Sequence, residues 1–185
     1  SGLTPAQRLK NWLAAHLGLA DLVLGEGTTL GLAPDVVVDA DLATRWAARM
    51  IEGRPTPEDL RVSPGEVSTH DLLPGCYDDW ALLERERVRQ RMLHGFEALG
   101  RRLVLDGRCA QAVEAALVAV AIDPLRESAQ RILLEAHLGE GNWAEAERAY
   151  RSYRDRLGLE LGIQPTPRLG RLLGSADGVQ AATSR

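Results

Sequence analysis

Several pairs of similar residues between positions 100 and 157 are separated by the same distance in sequence, about 34 residues. The pairs that share it are Gly107 and Gly141, Ala110 and Ala144, Ala112 and Ala146, and Ala116 and Tyr150. Glycine ends helices and alanine permits two helices to approach closely, so the repeated unit has the composition of a pair of packed helices. A repeat of this kind restricts the chain to architectures in which similar units stack on one another.

Apolar periodicity predicts four helices across this region. The first, from Leu82 to Leu103, has a stripe at three- and four-residue steps: Val88, Met92, Phe96, Leu99 and Leu103. Asp106-Gly107 ends this helix. In the second helix the predicted buried face consists of Ala110, Val113, Leu117 and Val120.

Capping signals place the next two helices. Asp123 is predicted as the N-cap and Pro124 as the first residue of the third helix. Its predicted core positions are Leu125, Ala129, Ile132 or Leu133, and Ala136. Gly139 to Gly141 ends it, and Asn142 caps the fourth helix with Glu145 as a capping-box partner.

The period, about 34 residues, equals that of a tetratricopeptide repeat, a helix–turn–helix scaffold with a concave binding face. Small residues and proline also occur where that pattern requires them, at Gly100, Ala112, Ala119 and Pro124. The predicted fold class is therefore mainly α, a TPR-like stack of α-hairpins. A stack of only two repeat units needs a further element to cover each end. We predict that these elements are a helix with Asp41 as its N-cap and a short helix at Pro167 to Leu173.

The segment before this stack has a different pattern. Thr4 to Gly18 is predicted to be helical, followed by a hairpin of Leu22–Leu24 and Thr28–Leu32 around Gly25–Gly27. Asp35–Asp39 is a candidate third strand. The helix that Asp41 caps is predicted to have Leu42, Trp46 and Met50 on one face and to end at Gly53. Residues 54–75 are a proline-containing connector with a turn near Pro57–Leu60, and residues 175–185 are predicted to form a flexible tail.

Composition excludes several classes of protein. Two cysteines, Cys76 and Cys109, and four dispersed histidines provide no metal-ligand spacing and no disulfide framework, so we expect no cofactor. No nucleophile–base motif or phosphate-binding loop is present, so we expect no enzyme activity. The absence of a signal peptide or long apolar run predicts a cytoplasmic protein without a membrane partner. The net charge of −4 means that any DNA contact needs a local basic patch.

Residues 71–91 carry a resemblance to a known family. The motifs are Leu72-Leu73-Pro74-Gly75, Tyr77-Asp78-Asp79-Trp80 and Glu84-Arg85-Glu86-Arg87, and the similarity continues through Ala121–Glu127 and Gly162–Pro167. Together they resemble the bacterial transcriptional activator domain (BTAD) of SARP-type regulators, which activate antibiotic-biosynthesis clusters. Cys76 departs from the pattern, since tryptophan is more usual there.

The resemblance implies a winged-helix DNA-binding domain before the helical module. Residues 1–38 are then the recognition helix and wing of a partial winged helix, residues 39–174 the activator domain and residues 175–185 a tail. The front of the winged helix is absent from this sequence. The family further implies a module that supports dimerisation, orients the DNA-binding head and contacts RNA polymerase or another protein partner, with DNA and a second subunit as partners.

Two sets of candidate site residues follow. Arg8, Lys10, Asn11 and Thr28 are candidates for DNA contact, against the alternative of a solvated helix face. The second set is the interaction or structural motif: Tyr77, Asp78, Asp79, Trp80, Arg85 and Arg87.

The second set also has alternatives. The acids are expected to cap a helix, with a metal site or an acid/base couple as the alternative. The two aromatic residues are expected to anchor the connector against the stack, with a partner-facing role as the alternative. The Glu-Arg run, together with Arg89 and Arg91, is expected to form an exposed salt-bridged face. A contact with the winged helix or a second subunit is the alternative for the run. For the whole chain, the alternative function is a TPR-like interaction adaptor or a ligand-sensing domain that does not bind DNA.

Overall fold

A computed structural model describes residues 7–8, 11–12, 15, 22–26, 29–61, 75 and 77–174. The chain divides into two compact units, Ser1–Asp41 and Leu42–Arg185. In the first unit, strands β1 (Val23–Glu26) and β2 (Thr29–Leu32) pair antiparallel, with Val23 opposite Leu32 and Glu26 opposite Thr29. The predicted hairpin is confirmed, but Gly25 and Glu26 lie in β1 rather than in the turn.

The predicted third strand at Asp35–Asp39 is wrong. Val36 donates from its backbone to Ala33 O in a turn, and Val37 is 70% exposed. Helix α1 begins already at Asp39, whose carboxylate accepts a hydrogen bond from the Ala40 amide (2.7 Å). A local cap therefore competes successfully with the β preference of the valines.

The second unit consists of successive helices. After α1 (Asp39–Ile51) and a 3₁₀ turn (Asp59–Arg61) come α2 (Asp79–Leu105), α3 (Cys109–Ile122), α4 (Glu127–Gly139) and α5 (Trp143–Leu161). A last helix, α6, covers 167–174. Helix α3 packs against α2 and α4, and α4 against α5. The part of the chain that the structure describes is thus mainly helical, as predicted.

The buried residues confirm the predicted apolar stripe of α2 and correct the predicted stripes of α1 and α3. Met92, Phe96, Leu99 and Leu103 are buried, and Val88 packs beside them. In α1, Trp46 and Met50 are buried but Leu42 is 56% exposed.

The predicted face of α3 is correct only in part, since Val113 and Val120 are half-buried and pack against the core. Leu117 is 50% exposed and Ala110 is exposed, whereas Ala112, Ala115, Ala116 and Ala119 are fully buried. The alanines let α3 pack closely between two helices, and the larger side chains lie at the rim.

The helix termini depart from the predicted caps. Helix α4 begins at Glu127, with Arg126 as N-cap, and Asp123 instead stabilises the preceding turn by accepting from the Leu125 amide (3.2 Å). Asn142 is the N-cap of α5, but it forms no side-chain capping bond, and the Glu145 carboxylate binds Arg148. The predicted capping box is therefore wrong, because Arg148, one turn later, takes the Glu145 carboxylate.

Two glycines at matching positions of the sequence repeat have the same backbone conformation. Gly107 and Gly141 lie between helices with φ of 71° and 76°, in the left-handed region that favours glycine. Ala112 and Ala146, which are also one repeat apart, are both fully buried. The sequence repeat therefore corresponds to repeated geometry.

Candidate interaction surface

The N-terminal half of α2 extends beyond the main core. The buried residues of α2 are concentrated from Met92 onward, and Ala81 is the exception in the first half. Trp80 is 61% exposed and Leu83 is 72% exposed. Large apolar side chains in such positions are more informative than isolated exposed leucines, because they lie next to each other on one helix.

The second predicted set is brought together at this end. Asp78 occupies the N-cap position of α2, although its side chain forms no capping hydrogen bond, and Asp79 lies in the first turn, where the helix dipole favours negative charge. Tyr77, directly before them, is 78% exposed. The expectation that Tyr77 and Trp80 anchor the connector is wrong, because both aromatic side chains face solvent.

The charged run of α2 forms the predicted ion pairs. Arg87 Nη1 lies 2.7 Å from Glu84 Oε2, and Arg89 Nε lies 2.7 Å from Glu86 Oε2. The Arg89 and Gln90 hydrogen bonds lower the pKa of the Glu86 carboxyl to about 2. Arg89 also donates to the Ile122 carbonyl (3.0 Å), so this arginine links the charged run of α2 to the C-terminal end of α3.

A groove lies between α1 and α2, which we call the α1–α2 groove. Its volume is about 300 Å³, and its lining residues are Ala48, Ile51, Glu52, Arg87, Arg91 and His94. The α2 side provides two arginines and a histidine, and the α1 side two apolar residues and one acid. A groove of this composition suits an anionic or aromatic group with an apolar part.

Gly95 is where α1 crosses α2 beside this groove. A Cβ atom placed on Gly95 would lie 2.9 Å from Ala47 Cβ and 3.0 Å from Trp46 Cζ3. The Trp46 and Phe96 rings also meet there, with centroids 5.0 Å apart. The absence of a side chain at position 95 therefore sets the separation of the two helices.

Asp59 fixes the far end of α1. Its carboxylate binds Arg49 through two hydrogen bonds (2.8 and 2.6 Å) and accepts from the Thr56 amide (2.8 Å). The Trp46 indole donates to the Asp59 carbonyl (3.1 Å). The Arg49 hydrogen bonds outweigh burial and lower the pKa of Asp59 to about 2.

Glu97 is a buried carboxylate that joins α2 to the start of α4. Arg126 donates to it at 2.7 Å, and Ser128 donates to the same oxygen. Burial opposes ionisation of Glu97, but these bonds and the Arg101 charge hold its pKa below the usual range.

His94 connects this cluster to the groove. Its Nδ1 lies 3.2 Å from Arg126 Nη2 and 3.8 Å from the Glu97 carboxylate, so the ring contacts both members of this pair.

The first predicted set is only partly described. Arg8 and Asn11 lie in helical backbone with exposed side chains, and Lys10 and Thr28 lie outside the described residues. Sequence patterns missed Asp59, Glu97 and the α1 side of the groove. Arg91 was noted only as part of the charged run.

Comparison with known families identifies the helical unit. The model of the bacterial transcriptional activator domain matches residues 67–175, more than half of the chain. The chain belongs to the bacterial transcriptional activator domain family. Within this activator domain, the match includes α2 to α6 and so contains the exposed half of α2. Comparison with curated proteins finds no match to the chain.

The family is a regulatory one rather than an enzyme family. No group of three or more potential metal ligands occurs among the described residues. Of the helices described, none is long and apolar enough to cross a bilayer. The family match makes residues 67–175 a module of the bacterial transcriptional activator type.

Proposed function

We propose that this chain is the helical module of a SARP-type regulator of secondary metabolism, together with the last part of its winged-helix head. The family match at residues 67–175 is the observation that carries the proposal. The module supports dimerisation, orients the DNA-binding head and contacts RNA polymerase or another protein of the transcription machinery in the cytoplasm.

A TPR-like arrangement of the helices supports the scaffold role. The repeated corners at Gly107 and Gly141 and the buried pair Ala112 and Ala146 are what stacked helix pairs of that type require. The exposed half of α2 then serves as a contact surface.

The hairpin β1–β2 supports the winged-helix assignment, with the hairpin as wing and residues 1–38 as the domain's last part. The helical residues Arg8 and Asn11 have side chains accessible to DNA. Arginine suits phosphates, and asparagine can bind adenine through two hydrogen bonds. Lys10 and Thr28 complete the proposed DNA-contacting set.

DNA binding by the intact regulator tests the proposal. Its affinity for its own promoter region should exceed that for random DNA by at least about 10³-fold and fall as salt rises. Asn11→Ala should reduce the preference for the promoter, whereas Arg8→Ala should weaken binding to both DNAs alike. The matched control is Arg168→Ala, which removes an exposed arginine from α6. Equal affinity for promoter and random DNA would overturn the proposal.

The α1–α2 groove favours a second candidate function, an interaction adaptor or ligand-sensing domain that does not bind DNA. Its cavity of about 300 Å³ is at the lower end of the usual range for small-molecule sites. If the intact regulator shows no preference for its promoter but binds a protein or a small anion, this candidate is favoured.

A further inference from the structure

One side of α2 is free of core contacts along its whole exposed half. Trp80, Leu83, Arg87, Arg91 and His94 follow one another at steps of three and four residues, so they lie on a single face of the helix. The core residues, such as Met92 and Phe96, lie on the other side. We call these five residues the α2 face.

The α2 face changes character along its length. Its N-terminal end has the exposed Trp80 and Leu83 beside the acids Asp79 and Glu84, whereas Arg87, Arg91 and His94 form its C-terminal end. Arg87 and Arg91 are four residues apart, a spacing at which like charges destabilise a helix. Arg91 has no ion-pair partner among the residues described. The basic end therefore has unused capacity for an acidic or aromatic partner.

We propose that a second copy of this chain docks on the α2 face, with the two α2 helices antiparallel. A face that is acidic and aromatic at one end and basic at the other complements its own copy only when the direction is reversed. Parallel pairing would place arginine against arginine. Reversal about a two-fold axis gives each favourable contact twice, as in isologous dimers. The proposal rests on the dimerisation included in the proposed function and specifies its surface.

Charge and shape select a register centred between Arg85 and Glu86. Glu84 of one copy then faces Arg87 of the other, and Trp80 faces Arg91. The indole enters the second copy's α1–α2 groove, where it meets the Arg91 guanidinium and the apolar side chain of Ile51. An arginine over an indole ring makes a favourable cation–π contact, which is stronger where water is excluded. Helical overlap of residues 79–92 on each copy extends over about 21 Å.

Sedimentation velocity of the chain across a concentration series tests this arrangement. Trp80→Ala removes the ring, and Glu84→Arg or Arg87→Glu places like charges opposite each other in this register. Each single variant should weaken the dimer at least about tenfold. The double variant Glu84→Arg/Arg87→Glu exchanges the charges of the facing pair and should restore dimerisation. Arg168→Glu makes a matched charge change on α6 and should leave the dimer unaffected.

The outcomes separate this proposal from the one on which it rests. A wild-type chain that stays monomeric up to ~100 µM would overturn the α2 pairing and the dimerisation role together. A dimer that the single variants leave intact would overturn the α2 face alone. Single variants that dissociate without rescue by the double variant would overturn the antiparallel register. Because the substituted side chains are exposed or half-buried and none lies in the core, unchanged circular dichroism should accompany every variant. Trp80→Ala tests the face without altering charge.

Discussion

Gly95 shows how much one missing side chain determines in this protein. A methyl group there would meet Ala47 at both Cβ (2.9 Å) and Cα (3.1 Å), and a backbone atom cannot turn aside as a flexible side chain can. The α1–α2 crossing, and with it the width of the groove, depends on this contact.

We therefore expect Gly95→Ala to destabilise the fold by about 1–3 kcal/mol despite the better helix propensity of alanine. Gly158→Ala is the matched control. Gly158 also lies inside a helix, but its added Cβ would meet its nearest neighbours at 3.9 Å, an ordinary contact. That variant should stabilise by about 0.5–1 kcal/mol. Urea unfolding measures both, and equal effects of the two substitutions would contradict the crossing role of Gly95.

Asp59 makes stability depend on pH. Its folded-state pKa of about 2 lies below that of an unfolded aspartate, so its contribution is present above about pH 4 and is lost as pH falls toward 2. Asp59→Asn should cost about 2 kcal/mol at pH 7. The difference in free energy of unfolding between this variant and the wild type should shrink between about pH 4 and 2. The control is Asp155→Asn, since the Asp155 side chain is 68% exposed and its ion pair contributes little. A deficit that stays constant down to pH 2 would count against the Arg49 pairing as its cause.

At the scale of elements, the Glu97–Arg126 pair holds α2 against the start of α4. Arg126→Ala leaves the Glu97 carboxylate buried without the guanidinium that binds it. We expect a loss of about 3 kcal/mol in the free energy of unfolding. Arg131→Ala, which removes a half-buried partner of Glu135 in α4 itself, should cost less than about 1 kcal/mol. Chemical denaturation at neutral pH distinguishes them. If both variants lose the same amount, Glu97 does not depend on Arg126.

The elements also show what sequence patterns can and cannot predict. The stripe of α2 was predicted because only one side of its C-terminal half contacts the core, which gives a clean periodicity. The face of α3 was predicted only in part because the helix has two apolar stripes. Its fully buried stripe consists of alanines (Ala112, Ala115, Ala116 and Ala119), whereas the predicted stripe contains the larger Val113, Leu117 and Val120. Periodicity alone does not tell which of two apolar stripes is buried.

The motif residues Tyr77 to Trp80 were found from the sequence, but their exposure was not. The α1–α2 groove was also unpredictable, because Ile51 and Arg91 are distant in sequence and become neighbours only when α1 crosses α2. Patterns within one element carry no information on such pairs.

At the scale of the whole molecule, the hydrophobic clusters formed by the described residues lie in the unit Leu42–Arg185. A fragment of residues 39–185 should therefore keep the helical circular dichroism of the chain and unfold cooperatively, with a Tm within a few degrees of the whole. The predicted domain boundary at residues 38 and 39 stays a prediction that this measurement tests. Loss of the cooperative transition in the fragment would show that residues 1–38 are required for the helical unit.

The matching corners at Gly107 and Gly141 make this fold a modular one. Because both glycines have nearly the same φ and donate the same turn hydrogen bond, a copy of the segment between them inserted at either corner would begin and end in the same type of turn. The molecule can thus gain or lose a whole unit without a new junction, and its length is open to gene duplication and to engineering in steps of one repeat.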